Sequence, residues 1–140
     1  MEYHLRNDMT TSNDRERQRA VRMAEFEAEQ AEMERQKRLD IEDGIPALKR
    51  LVVMAQGSSG QCERVAAFLA GCYNGMRCPV DLSDLRTVDF ALSEDILRVL
   101  RMDRWCQQEV HLYVENGAQV FERIIEQWGL DKRFKWVGGG

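Results

Sequence analysis

A tight turn followed by an amphipathic segment, residues 56–74, constrains the fold of this chain more than any other stretch. Gly57 and Gly60 enclose two serines, and the residues after them place apolar side chains on one helix face at the i, i+3, i+4, i+7 spacing: Val65, Phe68, Leu69 and Cys72. Glycine adopts the positive φ that ends many helices, and a serine side chain accepts from the free N–H groups at the next helix start. This stretch therefore predicts a helix that ends at Gly57, a short turn and a second helix.

The same helical spacing recurs in three other segments. These are Leu48, Leu51, Val52 and Ala55 before the turn, then Leu92, Ile96, Val99 and Leu100, and finally Phe121, Ile124, Ile125 and Trp128. Too few residues join the two helices around Gly57 for them to be anything but neighbours, so we expect their apolar faces to meet. The sequence predicts an all-α domain of about four helices over residues 44–129.

Polar residues indicate where the later helices begin. Asp81 is predicted to cap a short helical turn, Asp89 or Ser93 the third helix and Asn116 the last. The segment from residue 105 to 115 is ambiguous, because its apolar residues alternate as in a strand and the Asn-Gly after them is typical of a hairpin. No second alternating run follows, so a strand and a loop both stay open.

A long charged helix is predicted to precede this domain, after a disordered lead-in of residues 1–11. Neither glycine nor proline interrupts residues 12–41. Gly44 is predicted to end this helix near residue 43, and Pro46 to lie in the first turn of the next one. The charges form an arginine-rich block, an acidic block and a second basic block, as in a solvated helix.

Three apolar residues of this helix, Met23, Phe26 and Met33, fit a partial heptad. The next seam positions are Gln30 and Lys37, so a sustained coiled coil is poorly supported. The three residues indicate either a solvated helix, a stripe that binds another protein, or a face that packs on the chain's own domain.

Two further sets of charged residues suggest surfaces for a partner. Arg98, Arg101 and Arg104 form a basic edge at spacing three, which is either a solvated face or a patch for an acidic protein. The tail of residues 130–140 is predicted to be flexible. It interleaves basic and aromatic residues as single-strand binders do, so nucleic acid is an alternative partner for the following set: Arg15, Arg17, Arg19, Arg22, Lys132, Arg133, Lys135 and Trp136.

Composition limits the function classes. The 140 residues carry a formal net charge of −4, which argues against a surface that binds nucleic acid throughout. No run of 18 apolar residues and no secretory signal pattern are found, so we expect a cytoplasmic protein with no membrane partner. The cysteines show no ligand spacing and are expected to be reduced thiols: Cys62, Cys72, Cys78 and Cys106.

The sequence contains no clear catalytic or metal-binding pattern. The Gly-Ser turn lacks the lysine of a phosphate-binding loop. An acidic cluster surrounds one predicted helix start, but several of its members are already explained as caps or first-turn residues, so a cation site is not favoured: Asp81, Asp84, Asp89, Glu94 and Asp95. His111 has no partner at a telling spacing. We therefore expect a protein that is not an enzyme and holds no cofactor or metal.

The stretch A-L-K-R-L-V-V-M-A-Q-G-S-S-G-Q-C-E-R-V-A-A-F-L-A-G-C-Y-N, followed by D-L-S-D-L-R-T-V-D and F-E-R-I-I-E-Q-W, resembles an uncharacterised family of small proteins. Its members are carried on proteobacterial plasmids and integrative elements, and the resemblance covers residues 45–129. It implies a genetic context and no catalytic residues. Arg86 and Tyr73 stand where that family usually has tryptophan.

Together these features predict a non-enzymatic accessory protein of a mobile element that acts by binding a protein, with inhibition of a host defence system, anti-CRISPR-like, as one such role. The alternative is a nucleic-acid-associated regulator or plasmid maintenance factor. The oligomeric state stays open.

Overall fold

The structure, a computed structural model, describes residues 11–133 in full and only the helical backbone of residues 2–10. Four α-helices follow one another: α1 (Glu2–Ala55), α2 (Gly60–Tyr73), α3 (Phe90–Asp103) and α4 (Gly117–Trp128). Three 3-10 helices join or follow them, at Leu82–Thr87, Val110–Tyr113 and Leu130–Lys132. The described range contains no strand, which confirms the all-α class and the long N-terminal helix.

The predicted helix break near residue 43 is wrong, because α1 continues through Gly44 and Pro46. A proline removes one backbone donor, and this helix tolerates the loss. Gly44 is buried, and a Cβ at its position would lie 2.5 Å from the Cβ of Met102. The glycine therefore permits close packing of α1 against α3 instead of ending a helix.

The chain divides into two compact units, with the division between Arg38 and Leu39. We call the fully described part of the first unit, residues 11–38, the arm. Residues 39–133 of the second unit are called the bundle.

The bundle is organised around α2, in which six consecutive residues from Val65 to Ala70 are buried. A helix that is apolar on all sides must be surrounded, and the remaining bundle helices supply that cover. The predicted apolar faces join one buried cluster, which confirms their meeting: Leu48, Leu51, Val52, Ala55, Val65, Phe68, Leu69, Leu92, Ile96, Val99, Phe121, Ile124 and Ile125. Leu100 is the exception, since it is 41% exposed.

Three of the predicted caps are confirmed. The side chains of Ser59, Asp81 and Asp89 accept from the backbone N–H groups of Cys62, Ser83 and Leu92, respectively. Gly57 does not take the expected positive φ, and in the described chain the left-handed glycine is Gly129. A Cβ at Gly57 would lie 2.6 Å from the Sγ of Cys62, so this glycine too serves close packing.

The connection between α3 and α4 is a 3-10 turn, so the strand alternative for residues 105–115 is wrong. Val110 is buried, while Asn116 takes a left-handed φ of 54° and its side chain makes no capping hydrogen bond. A Cβ at Gly117 would lie 1.7 Å from the carbonyl oxygen of His111. The Asn-Gly pair thus forms a tight turn at the start of α4 instead of a β-hairpin.

The chain directly after α4 is packed, although a flexible tail is predicted from residue 130. Gly129 has a φ of 60° and ends α4, and the next residue, Leu130, is 2% exposed within the core cluster. A 3-10 turn covers Leu130–Lys132. An apolar side chain placed by a left-handed glycine after a helix is a common way of closing that helix end. The rest of the predicted tail, residues 134–140, lies outside the described residues.

Candidate protein-binding surfaces

The arm exposes its large apolar side chains together with its charges. Met23, Phe26 and Met33 are 54%, 57% and 48% exposed, respectively. With 3.6 residues per turn, these three lie within about 80° of one another around the helix axis, whereas Val21 lies on the opposite side. The three side chains therefore form a stripe, called here the arm stripe.

The arm's charges stay at the surface. Glu32 and Arg35 form a bidentate ion pair, with hydrogen bonds of 3.0 and 2.6 Å, and both side chains are more than half exposed. The hydrogen bond from Arg35 holds the pKa of Glu32 below its usual value. The predicted nucleic-acid arginines of the arm are exposed: Arg15, Arg17, Arg19 and Arg22.

A second exposed apolar surface lies on α3, on the side away from the core. Phe90 is 78% exposed, Leu97 43% and Leu100 41%. Phe90, Leu97 and Arg101 follow the i, i+7, i+11 spacing of one helix face, with Leu100 beside them. We call these four residues the α3 outer face. A phenylalanine at this level of exposure is unusual in a bundle whose other described phenylalanines, Phe68 and Phe121, are buried.

Two of the three predicted α3 arginines are engaged inside the bundle. Arg98 donates to Oδ1 of Asp95 at 2.9 Å, and Arg50 of α1 donates to both oxygens of the same carboxylate at 2.9 Å. The hydrogen bond from Arg50 is the main cause that lowers the pKa of Asp95. Arg98 thus flanks the α3 outer face while pairing with a nearly buried carboxylate.

Arg104 is held in the same way at the other end of α3. Its Nη2 donates to Oδ2 of Asp40 at 2.7 Å, and Nε1 of Trp105 donates to the same oxygen at 2.8 Å. The Arg104 guanidinium also stacks over the Trp105 ring, 4.9 Å from the ring centroid. The sequence predicted the basic edge but missed both buried aspartates, because nothing in their local pattern separates them from surface acids.

A polar cluster on another side of the bundle joins the loop after α2 to α4. Arg77 pairs with Glu122 at 2.6 Å and with Asp131 at 3.7 Å, beside an open depression. Hydrogen bonding by Arg77 lowers the pKa of Glu122, and the hydrogen bond from Tyr73 adds to the effect. The carboxylate is thereby stabilised as the charged form, which suits an ionic tie between segments and not a general acid near neutral pH.

Two thiols and the histidine of the bundle, Cys72, Cys78 and His111, pack against apolar or aromatic neighbours. Burial raises the pKa of Cys72 to about 12 and also raises the pKa of Cys78. A reactive cysteine needs the opposite shift. The His111 ring packs edge-on against Tyr73 at 5.1 Å, and its buried Nδ1 has no hydrogen-bond partner.

The acidic residues considered for a cation site and the basic residues near the C-terminus do not form a common site in the described chain. Asp81 and Asp89 act as caps, while Asp84 lies 3.6 Å from Arg133 in an ion pair. Within the described residues, no group of three or more His, Cys, Asp or Glu side chains is placed to hold a metal ion. Lys132 is exposed, and Lys135 and Trp136 lie outside the described residues.

A family model described as a family of unknown function, DUF7673, matches residues 45–129. The chain belongs to DUF7673. No curated protein and no solved structure matches the chain.

The DUF7673 region contains the core of the bundle and the whole α3 outer face, and it leaves the arm outside. It coincides with the range of the resemblance found in the sequence. Among the helices of the described chain, none is both long enough and apolar enough to cross a membrane. The α3 outer face therefore lies within the region that the family model matches, whereas the arm stripe lies on the segment before it.

Proposed function

We propose that this DUF7673 protein is a non-enzymatic binding protein whose α3 outer face docks a partner protein. The observation that carries the proposal is the row of exposed apolar side chains at Phe90, Leu97 and Leu100. Large apolar side chains exposed on one side of a helix are a recognised feature of interaction sites, because their transfer out of water is favourable. Full burial of an exposed side chain of this size contributes about 1.5–3 kcal/mol, so Phe90, at 78% exposed, would contribute more than Leu97, at 43%.

The chemistry of the α3 outer face favours a partner with an apolar centre and an acidic edge. Arg101 follows Leu97 and Leu100 on the same side of α3, and Arg98 and Arg104 lie beside them with side chains that are 38% and 54% exposed. Their pairing with aspartates of the bundle holds these guanidiniums in fixed positions. A preorganised arginine loses less conformational entropy when it binds a carboxylate of a partner.

The absence of a catalytic role is supported by how the reactive groups are used. The Cys72 thiol is stabilised in its protonated form by burial, and Glu122 is held as a carboxylate by Arg77. Neither has the pKa near the working pH that general acid–base chemistry requires.

The resemblance to proteins of plasmids and integrative elements supports a proposal for the cellular role. We place the protein in the cytoplasm as an accessory factor of a mobile element, with a host protein as the partner of the α3 outer face. Inhibition of a host defence system, as anti-CRISPR proteins perform, is the specific role that this context favours. Inhibition by stoichiometric binding would require only a docking surface such as the α3 outer face.

An alternative function is nucleic-acid binding by a regulator or plasmid maintenance factor. The exposed arginines of the first basic block favour it: Arg15, Arg17, Arg19 and Arg22. The acidic block that follows on the same helix opposes it, because phosphates would be repelled there.

Affinity capture from a host lysate treated with nuclease tests the proposal. The baits are the full chain, Leu97→Asp in the α3 outer face, and Leu82→Asp as a matched control at a position 74% exposed elsewhere in the bundle. We expect one protein to be recovered with the wild type and the control and to be lost with Leu97→Asp. Equal recovery with Leu97→Asp would contradict the surface, and salt-sensitive retention of DNA in place of a protein would favour the alternative.

A further inference from the structure

The α3 outer face has an acidic neighbour, Glu94, on the same side of the helix. Glu94 and Arg101 are seven residues apart, so they lie within about 20° of one another around the axis and about 10 Å apart along it. That spacing exceeds the three or four residues over which helix side chains pair directly. Arg98, one turn after Glu94, is bonded to Asp95 instead. The face therefore carries an acidic and a basic group that are too far apart to pair within one chain.

We infer that two copies of this chain associate through their α3 outer faces, with the α3 helices antiparallel about a twofold axis. The midpoint between residues 94 and 101 lies between Leu97 and Arg98. When the axis passes at this level, Glu94 of each copy comes level with Arg101 of the other. A twofold axis between antiparallel helices keeps each residue on the same side of the interface in both copies. Because Glu94 and Arg101 share a side, two contacts between opposite charges form.

The exposed apolar side chains meet in this same alignment. Leu97 of the two copies lie beside each other at the axis, and Leu100 of each copy lies about 3 Å along the axis from Leu97 of the other. Phe90, which is 78% exposed, comes level with Trp105 of the other copy, where the Arg104 guanidinium stacks over the indole ring. An arginine beside aromatic rings attracts their faces. The apolar contacts and the charge contacts therefore select one alignment.

Other arrangements of the two α3 helices bring like charges together. In a parallel pair each residue lies level with its own copy, so Glu94, Arg98 and Arg101 would each meet an identical charge. In an antiparallel pair shifted by one turn toward the C-terminus, Arg98 of each copy comes level with Arg101 of the other. The residues of the α3 outer face thus favour both the orientation and the register.

This pairing rests on the proposed function in one respect, that the α3 outer face is a docking surface, and it adds a means of regulating that surface. In the free protein a second copy covers Phe90 and Leu97, so a host partner binds only after the two copies separate. Separation follows dilution by mass action. It also follows added salt, which screens exposed charges within about 8 Å at physiological ionic strength.

Charge reversals test the pairing by sedimentation velocity of the full chain over a dilution series at low salt. We expect the wild type to reach twice the chain mass of 16.3 kDa. Glu94→Arg alone and Arg101→Glu alone each place like charges opposite one another and should weaken the dimer about tenfold. An equimolar mixture of the two variants, or both changes in one chain, should restore it. Glu126→Arg, at an exposed position of α4, is the matched control and should dimerise as the wild type does.

Three results would overturn the inference: a wild type that stays monomeric at low salt, single reversals that leave dimerisation unchanged, and a doubly reversed chain that stays monomeric. Circular dichroism checks that each variant keeps its helix content, and Leu97→Asp, which should also be monomeric, replaces a reversal that unfolds the chain. The proposed function fails separately. A monomeric wild type that still captures a host protein overturns the pairing alone, whereas a dimer that captures none overturns only the host partner.

Discussion

Residues 39–55 of α1 bury Ala47, Leu48 and Leu51 completely, whereas residues 11–38 of the same helix leave Met23 and Phe26 more than half exposed. The two regions are both helical, but different forces hold them. The arm relies on helix-forming residues and on local pairs such as Glu32–Arg35, while the bundle relies on burial. The contrast shows that residues of this chain can be helical without contributing to its buried core.

Truncation of apolar side chains should show the largest difference between the two regions. Leu69→Ala in α2 removes a fully buried side chain and should cost about 2–5 kcal/mol of unfolding free energy. Met23→Ala in the arm should cost less than about 0.5 kcal/mol, because the side chain is already in water. Urea unfolding of dilute samples at high salt measures the loss of unfolding free energy in each variant. A similar loss for the two variants would contradict the comparison.

Two glycines of the bundle, Gly117 and Gly60, differ in the space around them. Gly117→Ala should destabilise the bundle by about 1–3 kcal/mol, because the added methyl group meets the backbone carbonyl of His111. Gly60→Ala is the matched control, since the nearest atom to its added methyl is Nη1 of Arg64 at 3.9 Å. The control should change stability by less than about 0.5 kcal/mol. If both variants were equally stable, the close approach at Gly117 would be wrong.

A smaller effect is expected from acid titration of two arginine-paired carboxylates. Hydrogen bonds from arginine lower the pKa of Asp95 in the bundle and of Glu32 in the arm. A carboxylate with a lowered pKa contributes stability above its unfolded pKa, about 3.9 for Asp, and that stability is lost as pH falls through the folded pKa.

Asp95→Asn should therefore be less stable than the wild type at neutral pH, and the difference should shrink as the pH falls below about 4. Glu32→Gln should leave the pH dependence of bundle unfolding almost unchanged, because its ion pair is exposed in the arm. Unfolding curves recorded between about pH 2 and 7 give the pH dependence of the unfolding free energy for both variants. A pH slope that is unaltered in Asp95→Asn would contradict the role of its ion pairs.

Much of the fold was predictable because its helices carry regular apolar spacing. Val65, Phe68 and Leu69 were predicted on one face and are buried, and the caps at Asp81 and Asp89 follow from side-chain chemistry alone. The break at Gly44 was predicted wrongly, because a glycine that accommodates Met102 and one that ends a helix look alike in sequence.

The surfaces were harder to predict from sequence than the core. Leu100 fits the buried face of α3 by its spacing, yet it is exposed because α2 and the α1 segment cover only part of that helix. The arginine edge of α3 was visible in the sequence, but the pairs Arg104–Asp40 and Arg50–Asp95 join residues 64 and 45 positions apart. Long-range pairing of this kind leaves no local signal, whereas the arm stripe is visible in the sequence because it depends on one helix.

The claim that the bundle is stable without the arm is tested most directly by two unfolding free energies. One is measured on the full chain and the other on a chain lacking residues 1–38. Both should be measured in the same dilute, high-salt buffer. We expect the same unfolding free energy within about 0.5 kcal/mol, because the buried cluster lies in the bundle. A loss of several kcal/mol on truncation would show that the arm stabilises the bundle, and would contradict that claim.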